Sequence, residues 1–208
     1  MVNMKPKLLV LETFFGDACL NAQTFLDKCG CDIYLSTLCG NAEHAELSKK
    51  YCKEMAYYFV SNCYIMPMSE EDTTPRLGLY TNLQEQHTCY FQYYLDEYLK
   101  VTNCINDIIT RVCPTHILVN MGLINMYNVF VKFYISKYSN VFYYKERPYC
   151  LNSNYSCINQ VTSLPIFKKF SVTPKSINRK RNLYLQYYTK YSKLNPNIFA
   201  LEEVIYDK

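Results

Sequence analysis

The chain has 208 residues, half of them apolar and about a fifth charged, with a formal net charge of +4. That length suits one domain, spanning residues 1–208, and that composition excludes a disordered or fibrous chain. No apolar run approaches the ~20 residues of a membrane span, and Met1 to Lys7 carries no signal-peptide pattern, so intracellular, cytoplasmic residence is expected.

Residues 7–11, Lys-Leu-Leu-Val-Leu, predict a buried first strand. The chain continues through Glu12-Thr13-Phe14-Phe15-Gly16-Asp17-Ala18 into a predicted helix over 17–29. Leu20, Phe25 and Leu26 are among its apolar positions, and Gly30 stops it. Residues 32–38 predict a second strand, and Cys39-Gly40-Asn41 a turn. Residues 42–62 predict a helix, 63–68 a short strand, and 69–81 a polar loop containing Pro75 and Gly78.

The clearest helix covers 88–113. Phe91, Tyr94, Leu95, Tyr98, Ile105, Ile108, Ile109 and Val112 recur there at helical spacing, and Pro114 ends it. Residues 116–119 predict a buried strand, 124–138 an amphipathic helix and 141–144 a strand, with Pro148 as a breaker beyond it. A polar loop over 151–163 leads to a late strand at 166–170 and a basic, Tyr-rich helix at 174–194. The tail, 195–208, has no assignable pattern. Strands alternating with helices predict an α/β fold: a Rossmann-like, doubly wound, mostly parallel sheet in a three-layer sandwich.

Eleven Cys, an odd number scattered through apolar and helical contexts, read as reduced thiols and not as a disulfide framework. A zinc knuckle from Cys19, Cys29, Cys31 and Cys39 lacks the paired CxxC spacing such sites use. The abundance of Tyr, Asn, Lys, Ile and Cys matches usage in an A+T-rich genome, as in a large DNA virus or an A+T-rich microbe. Residues 165–208 carry nine Lys/Arg against three Asp/Glu. Lys175, Arg179, Lys180, Arg181, Lys190 and Lys193 form a candidate basic surface with interleaved Tyr, which offers a weak signal for nucleic-acid contact. An amphipathic helix with a packed Tyr face and a solvated basic face is the plainer reading.

In a doubly wound sheet a ligand crevice opens beyond the first strand. Glu12, Thr13, Asp17, Asn41, His44, Asn120, Asn125 and Asn128 are its candidate lining. The Asn amides suit sugar hydroxyls, so a carbohydrate ligand is among the partners considered. Asp17 reads equally as the N-cap of the first helix. His116 reads as a satisfied structural residue, and His44 and His87 as surface residues.

Several segments together resemble the PIG-L/LmbE family of zinc-dependent N-acetylglucosaminyl deacetylases. That family opens with a strand, an A-H-P-D-D-E motif and a helix. A G-x-x-V strand and a T-L-T-x-G-E turn come next, and Gly30-Cys31-Asp32-Ile33-Tyr34-Leu35-Ser36-Thr37-Leu38-Cys39-Gly40-Asn41 has that shape. Glu46 to Ala56 is similar in outline to the next helix. Cys113-Pro114-Thr115-His116-Ile117-Leu118-Val119 resembles the family's P-D-x-V segment, and Asn125-Met126-Tyr127-Asn128 sits where H-x-D-H would sit. Phe142-Tyr143-Tyr144-Lys145-Glu146-Arg147-Pro148-Tyr149 matches Y-Y-x-E-x-P-Y, and Lys180 to Lys190 resembles the closing helix.

The resemblance spans nearly the whole chain but stops at the active site. Phe14 stands at the position of a zinc-ligating His, Gly16 at the general base, and Asn128 at the last His ligand, with Tyr127 before it; Asp17 alone keeps a ligand. A catalytic zinc needs about three protein ligands and an open position for water. The resemblance therefore implies a non-catalytic member, a pseudoenzyme acting as a binding or interaction protein with no cofactor. The alternative is an active deacetylase or hydrolase with rearranged zinc ligands; a second is a nucleic-acid-associated accessory protein.

Two further expectations concern aromatic residues. Phe14 and Phe15 partly close the crevice. A protein partner or self-association uses the Tyr-rich segments 143–149 and 184–191.

Overall fold

The computed structural model describes residues 5–14, 18, 21–39, 57–59, 95–120, 126–145, 164–187, 199–200 and 202–208. Its elements are β1 (Lys7–Phe14), α1 (Gln23–Lys28), β2 (Asp32–Cys39), β3 (Tyr57–Phe59), α2 (Leu95–Val112) and β4 (His116–Asn120). Then come α3 (Met126–Ile135), β5 (Val141–Tyr144), β6 (Ile166–Phe170), α4 (Pro174–Tyr187) and β7 (Glu203–Asp207).

The strands form one seven-stranded sheet in the order β3-β2-β1-β4-β5-β7-β6. The first five pair in parallel, whereas β7 runs antiparallel to both β5 and β6. The fold is therefore mixed α/β with a mostly parallel sheet. Among the described residues no helix is long and apolar enough to cross a membrane.

The alternation of strand side chains sends apolar groups to both faces, as a covered parallel sheet requires. Leu9, Leu11, Ile117, Val119, Val141 and Tyr143 face α2 and α3, meeting Ile105, Ile108, Phe130 and Ile135. Leu8, Val10, Ile33, Leu35, Leu118 and Tyr144 line the opposite core, with Phe25 and Leu26 of α1 and Ile177 of α4. Each large side chain so buried contributes ~1.5–3 kcal/mol.

Helix ends are closed by groups far away in sequence. Ala22 at the start of α1 offers no side-chain cap. Instead the Glu203 carboxylate accepts the Thr24 amide at 2.7 Å, the Phe25 amide at 3.3 Å and the Thr24 hydroxyl at 3.0 Å. At the end of α2, Lys7 Nζ donates to the Val112 carbonyl at 2.9 Å, and Cys113 turns the chain at φ 48° before Pro114. Beyond α3, Lys208 Nζ donates to the carbonyls of Ser136 and Tyr138.

Three expectations need correction. Residues 57–59 are strand β3 and not helix: Tyr57-Tyr58-Phe59 pairs in parallel with Leu35-Ser36-Thr37 of β2. A run of aromatics suits a pleated surface better than a helix, where χ1 freedom is lost. Cys39 ends β2, paired with Phe14, and is not part of a turn. The tail holds β7, inserted between β5 and β6. The predicted strand at 63–68 and loops at 69–81 and 151–163 lie outside the described residues.

Candidate functional site

The chain builds β1, β2 and β3 outward in one direction, then returns to lay β4 against the other side of β1. After β1 it passes to α1 on one face; after β4 it passes to α3 on the other. The two connections diverge, so the carboxyl ends of β1 and β4 flank the place where a crevice forms in such sheets.

A row of buried polar side chains crosses the sheet here. Leu11 pairs with Val119, which sets Glu12 beside Asn120, and Asn120 pairs with Tyr144. Glu12, Asn120 and Tyr144 are all buried, with exposures of 1%, 1% and 0%. Neighbouring strands lie ~4.8 Å apart, so the three occupy adjacent places on the α1 side. Buried polar groups of this kind are costly unless hydrogen-bonded. Glu12 Oε1 accepts the Ala18 amide at 3.0 Å. Ala18 is helical and its carbonyl accepts the Ala22 amide at 2.7 Å. A carboxylate accepting a backbone amide makes a charge-assisted hydrogen bond.

Of the candidate lining residues, the structure brings Glu12 and Asn120 together and places Thr13 and Phe14 at the end of β1. Asn128 lies in the first turn of α3, the helix after β4. Phe14 and Asn128 thus stand at the same end of the sheet. Asp17, Asn41, His44 and Asn125 lie outside the described residues, as do Phe15, Gly16 and His87. The side chains of Thr13, Phe14 and Asn128 lie outside them too, and so does the expected closure by Phe14 and Phe15. Phe14 and Asn128 do not suit a zinc ion: a Phe carries no donor, and a neutral amide is a weak one. Among the described residues, no three His, Cys, Asp or Glu converge on a point where a metal would sit.

The knuckle of Cys19, Cys29, Cys31 and Cys39 is ruled out by geometry. Cys31 precedes β2 and Cys39 ends it, which at ~3.3 Å per strand residue separates them by roughly 26 Å.

The basic surface is smaller than the sequence suggests. Lys180 is fully buried and ion-paired with Glu203, and Arg179 is partly buried with Nη1 3.4 Å from Asp27 Oδ2. Lys175 and Arg181 are exposed on α4, while Lys190 and Lys193 lie outside the described residues. A helix interior position reads as solvent-facing when its Lys is counted as charge alone. The buried acid that holds Lys180 comes from a strand the sequence pattern does not disclose.

Tyr143 and Tyr144, which open the Tyr-rich segment 143–149, are likewise not surface residues, and residues 146–149 lie outside the described residues. Tyr143 and Tyr144 are core residues at 4% and 0% exposure, because β5 is covered on both faces. Burial pushes the Tyr143 phenol up to about 12, and Lys132 Nζ lies 5.9 Å from its ring centre. His116 is half-buried, stacked on Phe142 with ring centres 5.6 Å apart, and its Nδ1 lies 3.0 Å from Thr115 Oγ1. It is a packed residue of a strand, as read from the sequence.

Sequence reasoning missed Tyr144 as a member of the polar row. The signal was its place in a buried strand next to the one ending in Asn120. Comparison with family models, with curated proteins and with solved structures gives no match.

Proposed function

We propose that this chain is a non-catalytic binding or interaction protein on a Rossmann-like, doubly wound three-layer scaffold of the PIG-L/LmbE type. The observation that carries this reading is that Phe14, at the end of β1, and Asn128, in the first turn of α3, stand at the same end of the sheet. Those are the positions where the resemblance asks for His ligands, and they fall where a doubly wound sheet binds ligands. Glu12, a buried acid two residues before Phe14, holds a backbone amide. The β3-β2-β1-β4-β5 order, with helices on both faces, supports the scaffold.

The described surface on which a partner would dock includes the margin of the sheet. Ile166 and Phe167 on β6 are 51% and 49% exposed, at the end of the strand order. Lys168 and Lys169 beside them are the charges that keep such an edge from pairing indiscriminately.

The test is elemental analysis of protein purified without chelators, together with release of acetate from N-acetylglucosamine conjugates in added zinc. The expected result is zinc far below one per chain and no turnover above background. About one zinc per chain, with turnover lost on Asp17→Ala or His44→Ala, would favour the rearranged deacetylase. Light scattering at two concentrations then tests association; a strict monomer that recovers no partner from its native extract rejects the interaction reading.

A further inference from the structure

The turn between α1 and β2 is Cys29-Gly30-Cys31, and both thiols are free and partly exposed. Gly30 has φ 68°, in the left-handed region that favours glycine. A Cβ placed on it would meet nothing within 4 Å, so the glycine is there for its backbone and not for room. The reversal folds Cys31 back on its neighbour: Cys31 Sγ lies 3.5 Å from the Cys29 carbonyl oxygen. Cys29 Sγ in turn lies 3.3 Å from the Leu26 carbonyl oxygen. Both side chains border the core on the α1 side.

Two residues apart, fully extended, span at most ~7 Å. A turn shortens that span into the ~4.4–6.8 Å range of disulfide-linked Cα pairs. The two thiols also sense each other. Burial first, then the Cys29 charge and a hydrogen bond with Cys29, then Asp32, push the Cys31 thiol up to about 11.

We propose that Cys29 and Cys31 are a redox modification site, a dithiol that closes reversibly to an intramolecular disulfide by exchange with a small disulfide of the glutathione class. In the first step the Cys29 thiolate attacks one sulfur of the external disulfide. That S–S bond breaks, and one small thiolate leaves and takes a proton from water. In the second, Cys31 gives its proton to water and attacks the Cys29 sulfur of the mixed disulfide. The protein S–S bond forms, the bond between Cys29 and the small thiol breaks, and the second small thiolate leaves and takes a proton from water. Two protein thiols are oxidised by two electrons, and one external disulfide is reduced to two thiols.

The order of attack is set by the site. Little Cys31 is thiolate at neutral pH, so it is the poorer first attacker. Capping Cys29 as a mixed disulfide removes the free thiol that helps hold the Cys31 proton. Closure exchanges two S–H contacts to carbonyls for a covalent tie between the end of α1 and the start of β2.

The experiment equilibrates the full chain in glutathione buffers of graded ratio, blocks free thiols by alkylation, and maps cysteines by tandem mass spectrometry. The expected result is a peptide lacking two hydrogens with the bond at Cys29–Cys31, reopened by reductant, while circular dichroism stays native. Cys31→Ser should accumulate a stable glutathione adduct on Cys29, whereas Cys29→Ser should leave Cys31 unmodified. Full alkylation of both cysteines at the oxidising end, in folded wild-type protein, overturns the proposal. So does a disulfide from either of them to any other cysteine in its place.

Discussion

Glu203 of β7 and Lys180 of α4 form an ion pair with neither side chain exposed to solvent. The same carboxylate accepts two amides and a hydroxyl at the start of α1. One acid therefore joins three elements, and its charge is opposed by an ammonium and by the positive end of a helix.

Removing the cation should be far worse than removing both charges. Lys180→Met leaves a buried carboxylate without its partner and is expected to lower stability by about 3–5 kcal/mol. Lys180→Met with Glu203→Gln should recover much of that loss. Urea denaturation of the three proteins measures it; equal losses in the single and double variants would mean the charge is not what the pocket responds to.

Tyr143 sets an alkaline limit. Its phenol ionises near 10 when unfolded and at about 12 when folded, because burial disfavours the anion. Between those values the unfolded chain has lost more protons, so stability falls as pH rises from 10 to 12 and is unaffected below. The full effect is about 2–3 kcal/mol. Denaturation curves of wild type and Tyr143→Phe at pH 9 and pH 11.5 should differ in their pH dependence; parallel behaviour would place Tyr143 in contact with water.

Glu12→Ala takes the acceptor from the Ala18 amide and should cost about 1–3 kcal/mol. Glu12→Gln keeps an acceptor oxygen and should cost less. Thermal melting ranks the two. A melting temperature unchanged in Glu12→Ala would show that the carboxylate is not needed where β1 ends.

Lys7→Met removes the donor to the Val112 carbonyl and should cost about 0.5–1 kcal/mol. Lys208→Met removes the donors beyond α3 and should act independently, since the two lysines serve different helices. Chemical denaturation of the single and double variants checks additivity.

Much of the sheet was legible in the sequence because its strands are continuous apolar runs. Residues 141–144 and 166–170 were read with the bounds found, and β1 and β4 were read short at the ends that matter for the crevice. Those ends carry Glu12 and Asn120, polar residues that break the apolar pattern while the backbone pairing continues. β7 was illegible for the same reason: it opens with a charged residue whose burial depends on Lys180, 23 positions earlier. β3 was hidden because Tyr57–Phe59 falls inside the stretch 42–62 whose pattern reads as helix. Periodicity reports which face a residue prefers; it carries no information on a partner brought from elsewhere in the chain.

The placement of Glu203 also bears on how the molecule comes into being. A chain still being made on the ribosome has β1, β2, β4 and β5 available long before residue 203 leaves the tunnel. Until then α1 lacks the carboxylate that closes its first turn, and the β5 margin lacks its neighbour. Pairings this distant in sequence are slow to close. The nascent sheet therefore waits with an open margin on one side and a frayed helix on the other. Vulnerability to aggregation is greatest until β7 and its Glu203 join the sheet.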